Sequence, residues 1–310
     1  MLQETLIESL TSIHAKAPRT HKELTVIPIC GPDLGPTANS LSRGLQRDQV
    51  EVREVSKFGA VSQLKVLNRS HRPTFIFDGE ELVGGKQCRV VNTSILVPSN
   101  KELVIPVSCC EAGRWAHRRR PGFSSLERSM PSSLKAAKSV RLRRNLDDSA
   151  RYDADQGAVW RDIETLSLVR GVRSRTRALG DVFERDRTEL EELIGAFPPQ
   201  RGQIGVAAFH GKRLLSLEVF ASARLYRQLH ETVLHSFASD VLLHRGRPVE
   251  AANSYEGDKL LEFAALVLEG SMSSHPSPGI GTDVRVSGDR GEATGLVANG
   301  QLVHLSVFTR

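Results

Sequence analysis

Apolar positions recur along this chain with two different periods, and the change between them divides it into three stretches. Residues 4–17 predict a short helix that starts the fold or packs on its edge. LTVIPI, residues 24–29, is an unbroken apolar run ending at Gly31-Pro32 and predicts a strand. From Val50 to Val97 the pattern is strand-like: VEVREV alternates, TFIF is short and apolar, and RVVNTSILV is β-branched up to Pro98. Ser99-Asn100 supplies a turn, and ELVIPVSC is the returning strand. Residues 1–115 therefore read as a mostly antiparallel β-unit.

Residues 124–197 change character. Long stretches lack Gly and Pro, and leucines recur at helical spacing. In TELEELIGAF, Leu190, Leu193, Ile194 and Phe197 fall at i, i+3, i+4 and i+7. Thr188 is placed to cap that helix, with Glu191 completing a capping box, and Pro198-Pro199 closes the segment. Residues 200–310 return to mixed structure. QIGVAAFHGKRLLSLEVF is a hairpin about Gly211-Lys212, helices are expected at 223–243 and 257–269, and Asn299-Gly300 is the strongest hairpin signal in the chain. The expectation is an α+β protein forming one compact unit over 1–310, with a β-rich N-terminal part, a helical middle and an α+β C-terminal part.

Composition narrows the class. The 310 residues are 39% hydrophobic and 25% charged, as in an ordinary globular chain, and with 5% aromatics the core must be mainly aliphatic. The net charge is +6, unevenly placed: residues 114–151 hold 11 Lys or Arg against 3 Asp or Glu, a surplus of 8. That points to an anionic partner, a small phosphorylated or nucleotide ligand first and nucleic acid second. Cys30, Cys88, Cys109 and Cys110 form no C-x-x-C pair and no disulfide framework. The start MLQETLIESL lacks a signal core, and no run of eighteen apolar residues exists. The expectation is a reduced, cytoplasmic protein without a membrane span.

Two segments concentrate chemistry. DGEELVGGKQCR, residues 78–89, crowds Glu80, Glu81, Lys86, Gln87 and Arg89 around the Gly84-Gly85 pair. CCEAGRW, residues 109–115, adds Glu111, Arg114 and Trp115 after a strand end, where functional loops are commonly placed. Strand alternation puts Gln87 and Arg89 on one face and Lys86 and Cys88 on the other. A carboxylate among cations suits general acid–base work, which nominates Glu81 and Glu111. Lys86, Arg89 and Arg114 suit phosphate, Gln87 suits substrate orientation, and Glu80 and Trp115 complete the ligand-binding set. Which of Glu80 and Glu81 faces the site stays open. The plainer alternative is a surface hairpin with solvated charges, a structural Glu-Arg pair and Trp115 as a core anchor.

Other motifs carry less. Cys109 and Cys110 end an apolar strand and read as small hydrophobes rather than nucleophiles. HETVLH sets His230 and His235 five residues apart, about 140° around a helix, so they cannot share a zinc ion. Asp153, Asp155 and Glu164 match three positions of an EF-hand loop, but Ala158 stands where its glycine is needed. Asp155 is better read as the cap of the helix beginning QGAVW. HRRRPG, residues 117–122, lacks the interleaved aromatics that stack bases. His304, on the last strand, is a structural histidine or a distant contributor to the site. No metal site and no cofactor is indicated.

These residues resemble a known family. GEELVGGKQCRVVNTSILVP and IPVSCCEAGRW are similar to the signature of the ADP-ribosylglycohydrolase- and rhodanese-phosphatase-superfamily-associated protein family, of bacterial origin. Glu81, Leu82, Gly84, Lys86, Gln87 and Arg89 match it, as do Pro106, Val107, Ser108, Cys109, Glu111, Gly113, Arg114 and Trp115. Weaker likeness continues at residues 156–160, 174–179, 217–220 and in the LVHLSVF ending. Cys88 departs, standing where the family has asparagine. The resemblance implies a link to NAD-derived metabolism and brings no established catalytic residue. The leading expectation is an enzyme of the hydrolase type acting on ADP-ribose, a related nucleotide or a phosphorylated sugar. The alternative is a non-catalytic module that binds such a ligand or a partner protein in a stress or defence pathway.

Overall fold

A computed structural model describes residues 1–116, 122–245 and 256–309. The chain divides into two compact units, one of residues 1–37, 191–277 and 281–310, the other of residues 38–190 and 278–280. The α+β class expected from the pattern is the observed one.

The first unit is built on a nine-stranded antiparallel sheet. Its order runs His14–Ala15, Leu24–Cys30, Gln203–His210, Arg213–Phe220, Gln301–Thr309, Gly291–Ala298, Thr282–Gly288 and Ser271–Pro276, with Arg19–His21 also pairing Leu24–Cys30. Asn299 and Gly300 both take positive φ, 52° and 71°, as a type I′ hairpin turn requires. On one face, helices Leu2–Thr11 and Gly257–Leu268 bring Leu6, Leu10, Leu260, Ala264 and Val267 against Leu217, Val219, Leu305 and Val307. Alternation sends Glu218, His304, Ser306 and Arg285 to the other face, where they are buried all the same. Helix Ala223–Leu243 has the expected bounds, capped by Ser222 on the Leu225 N–H. The first helix stops at Thr11, short of the expected 17, and His14–Ala15 pairs with Cys30 and Ile29 instead. Ile13 is drawn inward, in contact with the Gly31 backbone.

The second unit holds a six-stranded sheet in the order Phe123–Ser129, Glu80–Gly84, Arg89–Val91, Lys101–Cys109, Gln63–Asn68 and Val50–Glu54. A three-stranded sheet of Ile95–Val97, Thr74–Ile76 and Asn39–Ser40 accompanies it. Leu64, Val66, Ile76, Leu82, Val91, Ile95, Val97 and Ile105 share one apolar core.

Three expectations need correction here. The run 89–97 is two strands, because polar side chains hold the chain between them. Asn92 donates to the Tyr152 carbonyl (2.9 Å) and accepts from Ser108 (2.8 Å), and Ser94 accepts from the Asp78 N–H (3.2 Å). The middle segment opens with a strand, Phe123–Ser129, before helix Ser132–Ser149 begins after Pro131. Further along, helix Arg187–Gly195 starts one residue before Thr188, which therefore lies inside it rather than at its cap. Asp155 does cap helix Gln156–Val169, accepting from the Ala158 N–H at 3.1 Å.

Candidate ligand site

Strand Glu80–Gly84 points its two glutamates in opposite directions. Glu80 is buried; it accepts from the Ser125 hydroxyl at 2.6 Å and the Phe77 N–H at 3.3 Å. Ser125 in turn lines a groove of about 830 Å³ beside strand Val50–Glu54. Burial, only partly offset by those two bonds, pushes the Glu80 carboxyl up to about 7. Glu81, fully buried, lies instead towards Cys110, whose sulfur is 4.0 Å from Oε1. Helix Leu179–Arg185 closes over it, for a Cβ on Gly180 would stand 3.2 Å from the same oxygen.

Residues 85–87 are bends and 88 is irregular, so the alternation expected for Lys86, Gln87, Cys88 and Arg89 does not apply before the strand begins at Arg89. Gly84 and Gly85 take positive φ (139° and 47°) and turn the chain tightly. This turn wraps around Arg114. Its guanidinium donates to the Gly85 carbonyl at 2.8 Å, the Gly84 carbonyl at 3.2 Å and the Ala116 carbonyl at 2.5 Å. Its other face makes a fork with Glu111, Nε to Oε1 at 3.0 Å and Nη2 to Oε2 at 2.7 Å. Glu111 also accepts from the Cys88 N–H at 3.1 Å. Burial works against the Glu111 charge, but the Arg114 bonds, the Cys88 N–H and the Arg114 charge outweigh it and hold the carboxyl down at about 2.

Arg89 has no exposed surface. It donates to the Gln87 carbonyl at 2.9 Å and the Ala60 carbonyl at 3.3 Å. The guanidinium carbon lies 5.6 Å from the centre of the Trp115 ring, and Lys86 Nζ lies 5.5 Å from it. Lys86 Nζ donates to the Phe58 carbonyl at 2.7 Å. Trp115 is 46% exposed and Phe58 81% exposed, so two aromatic rings reach solvent beside two cations. Residues 56–62 act as a strap. Their carbonyls at Phe58, Ala60 and Val61 accept from Lys86, Arg89 and the Cys109 thiol (3.5 Å). The Gln87 side chain is buried, and its backbone carbonyl serves Arg89.

The three thiols beside the turn are buried. Burial pushes Cys88 and Cys109 up to about 11 and Cys110 higher still, with the Glu81 charge adding to Cys88 and Cys110. Cys109 is clamped by the Gln156 amide, which accepts from its N–H at 2.7 Å and donates to its carbonyl at 2.8 Å.

Of the expected set, Glu81, Lys86, Gln87, Arg89, Glu111, Arg114 and Trp115 gather around one turn, and Glu80 points away from it. His304 belongs to the first unit, with Nε2 3.0 Å from Glu218 Oε2 and its ring 4.7 Å from that of Phe220. His230 bonds the Tyr226 hydroxyl and the Phe197 carbonyl. Residues 117–121 of the basic run lie outside the described residues.

The pattern missed three charged residues. Glu54 accepts from the Lys86 N–H at 2.9 Å and lies 4.0 Å from Arg89. Nothing separates it in sequence from the solvated charges of VEVREV. Lys135 and Lys138 are fully buried. Lys135 Nζ lies 4.1 Å from the Phe77 ring centre, and Lys138 pairs with Asp78 and donates to the Val91 and Asn92 carbonyls at 2.7 and 2.9 Å. A signal for them existed: residues 135, 138, 142 and 146 fall on one helical face with Leu142 and Leu146.

Among the described residues no helix is long and apolar enough to cross a membrane, and no His, Cys, Asp and Glu cluster is arranged to hold a metal ion. A family model described as the ARG and Rhodanese-Phosphatase-superfamily-associated Protein domain matches residues 12–308. No curated protein and no solved structure matches the chain.

Proposed function

The chain belongs to the ARG and Rhodanese-Phosphatase-superfamily-associated Protein family, and on that premise we propose that it binds an anionic nucleotide ligand of the ADP-ribose type at the Trp115 turn. One observation carries this reading: an exposed indole with two cations, Lys86 and Arg89, within 6 Å of its ring. A flat base stacks on such a ring, and phosphate oxygens take the place of the Phe58 and Ala60 carbonyls that now occupy the cations. Glu111 and Arg114 position the turn. Three N–H donors pin Glu111, so it exchanges no proton near neutral pH. Binding is therefore the primary role.

Hydrolysis of the bound ligand is the second reading, favoured by the buried Glu81 carboxylate on the strand leading into the turn. The test is calorimetric titration with ADP-ribose, followed by chromatography of the mixture. Binding lost in Trp115→Ala supports the site. Intact ligand after long incubation leaves a binding module, whereas turnover abolished by Glu81→Gln makes it an enzyme. Equal binding by wild type and Trp115→Ala would refute the site.

A further inference from the structure

Beneath the strap, two buried polar atoms of opposite kind have no hydrogen-bond partner among the described residues: Glu54 Oε2, an acceptor, and Arg89 Nε, a donor. Their neighbours on the same side chains are occupied. Glu54 Oε1 accepts from the Lys86 N–H at 2.9 Å, and the Arg89 terminal nitrogens serve the Gln87 and Ala60 carbonyls. The two groups are adjacent, with Glu54 Oε1 4.0 Å from Arg89 Nη2. The Glu54 side chain is 8% exposed and that of Arg89 is not exposed at all. Leaving a buried donor or acceptor unsatisfied costs about 1–3 kcal/mol, more for a charged group, and such atoms call for a reason.

The position of these atoms supplies one. They lie under residues 56–62, whose contacts to the cations run through backbone carbonyls and whose Phe58 and Val61 side chains point to solvent. Gly59 and Gly85 are needed here. A Cβ at Gly59 would stand 3.2 Å from Glu54 Oε2, and one at Gly85 would strike the Phe123 ring at 2.2 Å as well as standing 2.9 Å from Glu54 Oε1. Both take positive φ, 76° and 47°. The backbone thus approaches the carboxylate without covering it with a side chain.

We propose that Glu54 and Arg89 form a polyol-reading pair, in which Glu54 Oε2 accepts from a ligand hydroxyl and Arg89 Nε donates to a neighbouring oxygen. The ligand class is a ribose phosphate, and residues 56–62 lift to admit it. The inference rests on the anion-binding reading of Lys86 and Arg89 and names the group that confers specificity there. Glu54 is a specificity residue: a phosphate without a sugar has no hydroxyl pair to offer it.

The probes are ribose 5-phosphate, 2-deoxyribose 5-phosphate and inorganic phosphate, titrated calorimetrically into wild type and Glu54→Gln. Glutamine leaves one oxygen for the Lys86 N–H and puts a donor where the free acceptor was. Wild type is expected to prefer ribose 5-phosphate over inorganic phosphate by about tenfold, or 1.4 kcal/mol. Glu54→Gln should lose that preference, inorganic phosphate binding the variant at least as tightly because a negative charge beside Arg89 is gone, and Glu54→Asp, which keeps the carboxylate, should recover part of it. Equal weakening of sugar phosphate and phosphate, or no change, overturns the Glu54 assignment and leaves the anion site standing. If none of the probes and no ADP-ribose binds wild type, both readings fail together. Thermal melting of each variant identifies any loss that comes from unfolding.

Discussion

Arg114 and Glu111 meet as a two-bond fork, Nε to Oε1 at 3.0 Å and Nη2 to Oε2 at 2.7 Å, while the other edge of the guanidinium is spent on the Gly84, Gly85 and Ala116 carbonyls. The pair organises the turn that carries Lys86 and Trp115. Removing one member leaves a buried charge alone, at a cost of about 3–5 kcal/mol. Denaturant unfolding of Glu111→Gln, Arg114→Gln and the double variant should therefore give strongly non-additive losses. Additive losses would mean that the fork is not a unit.

Glu111 and Glu80 give stability opposite pH dependences. Glu111 titrates near 4.5 unfolded and about 2 folded, so the folded state binds its proton more weakly. Its contribution, on the order of 3 kcal/mol, is present above pH 4.5 and drains as the pH falls towards 2. Glu80 titrates at about 7 folded against 4.5 unfolded. Its contribution is complete below pH 4.5 and is lost as the pH rises through 7. Melting measured between pH 4.5 and 7.5 should decline in wild type and flatten in Glu80→Gln. An unchanged slope in the variant would refute the assignment.

Lys138 donates to Asp78 and to the Val91 and Asn92 carbonyls in a fully buried position. Lys138→Met leaves Asp78 uncompensated and should cost about 3–5 kcal/mol. Adding Asp78→Asn should return part of that loss, because no charge is then left buried. A Lys138→Met protein as stable as wild type would show that the pair contributes little.

Cys88, Cys109 and Cys110 should resist iodoacetamide in the folded protein at pH 8 and react fully once it is unfolded, since burial raises all three thiols. Rapid stoichiometric alkylation of the native state at any of them would reopen the case for a thiol nucleophile.

Where the signal is local spacing or turn chemistry, the sequence was readable. Helix Ala223–Leu243, the Asn299-Gly300 hairpin and the Asp155 cap came directly from spacing and turn chemistry. Two failures share one cause, partners that lie far away in sequence. Asn92, bonded to Ser108 and Tyr152, interrupts a run that looks like one strand. Residues 123–129 read as the start of a helical segment until Glu80–Gly84 pairs with them. At the site, the motif named residues that the fold brings around one turn, but their contacts there were invisible. Alternation cannot operate through a Gly84-Gly85 turn, and no pattern says that Arg114 is consumed by carbonyls while Trp115 stays exposed.

An anion bound at the Trp115 turn is read out by the indole itself. Trp160→Phe leaves Trp115 as the sole indole, and that variant is titrated with ADP-ribose. Binding there should give saturable quenching of Trp115 fluorescence that is lost in Lys86→Ala and falls steeply with salt, together with a thermal shift worth about 2.7 kcal/mol at a hundredfold excess over Kd. Unchanged fluorescence and an unchanged melting temperature at saturating ADP-ribose would contradict it.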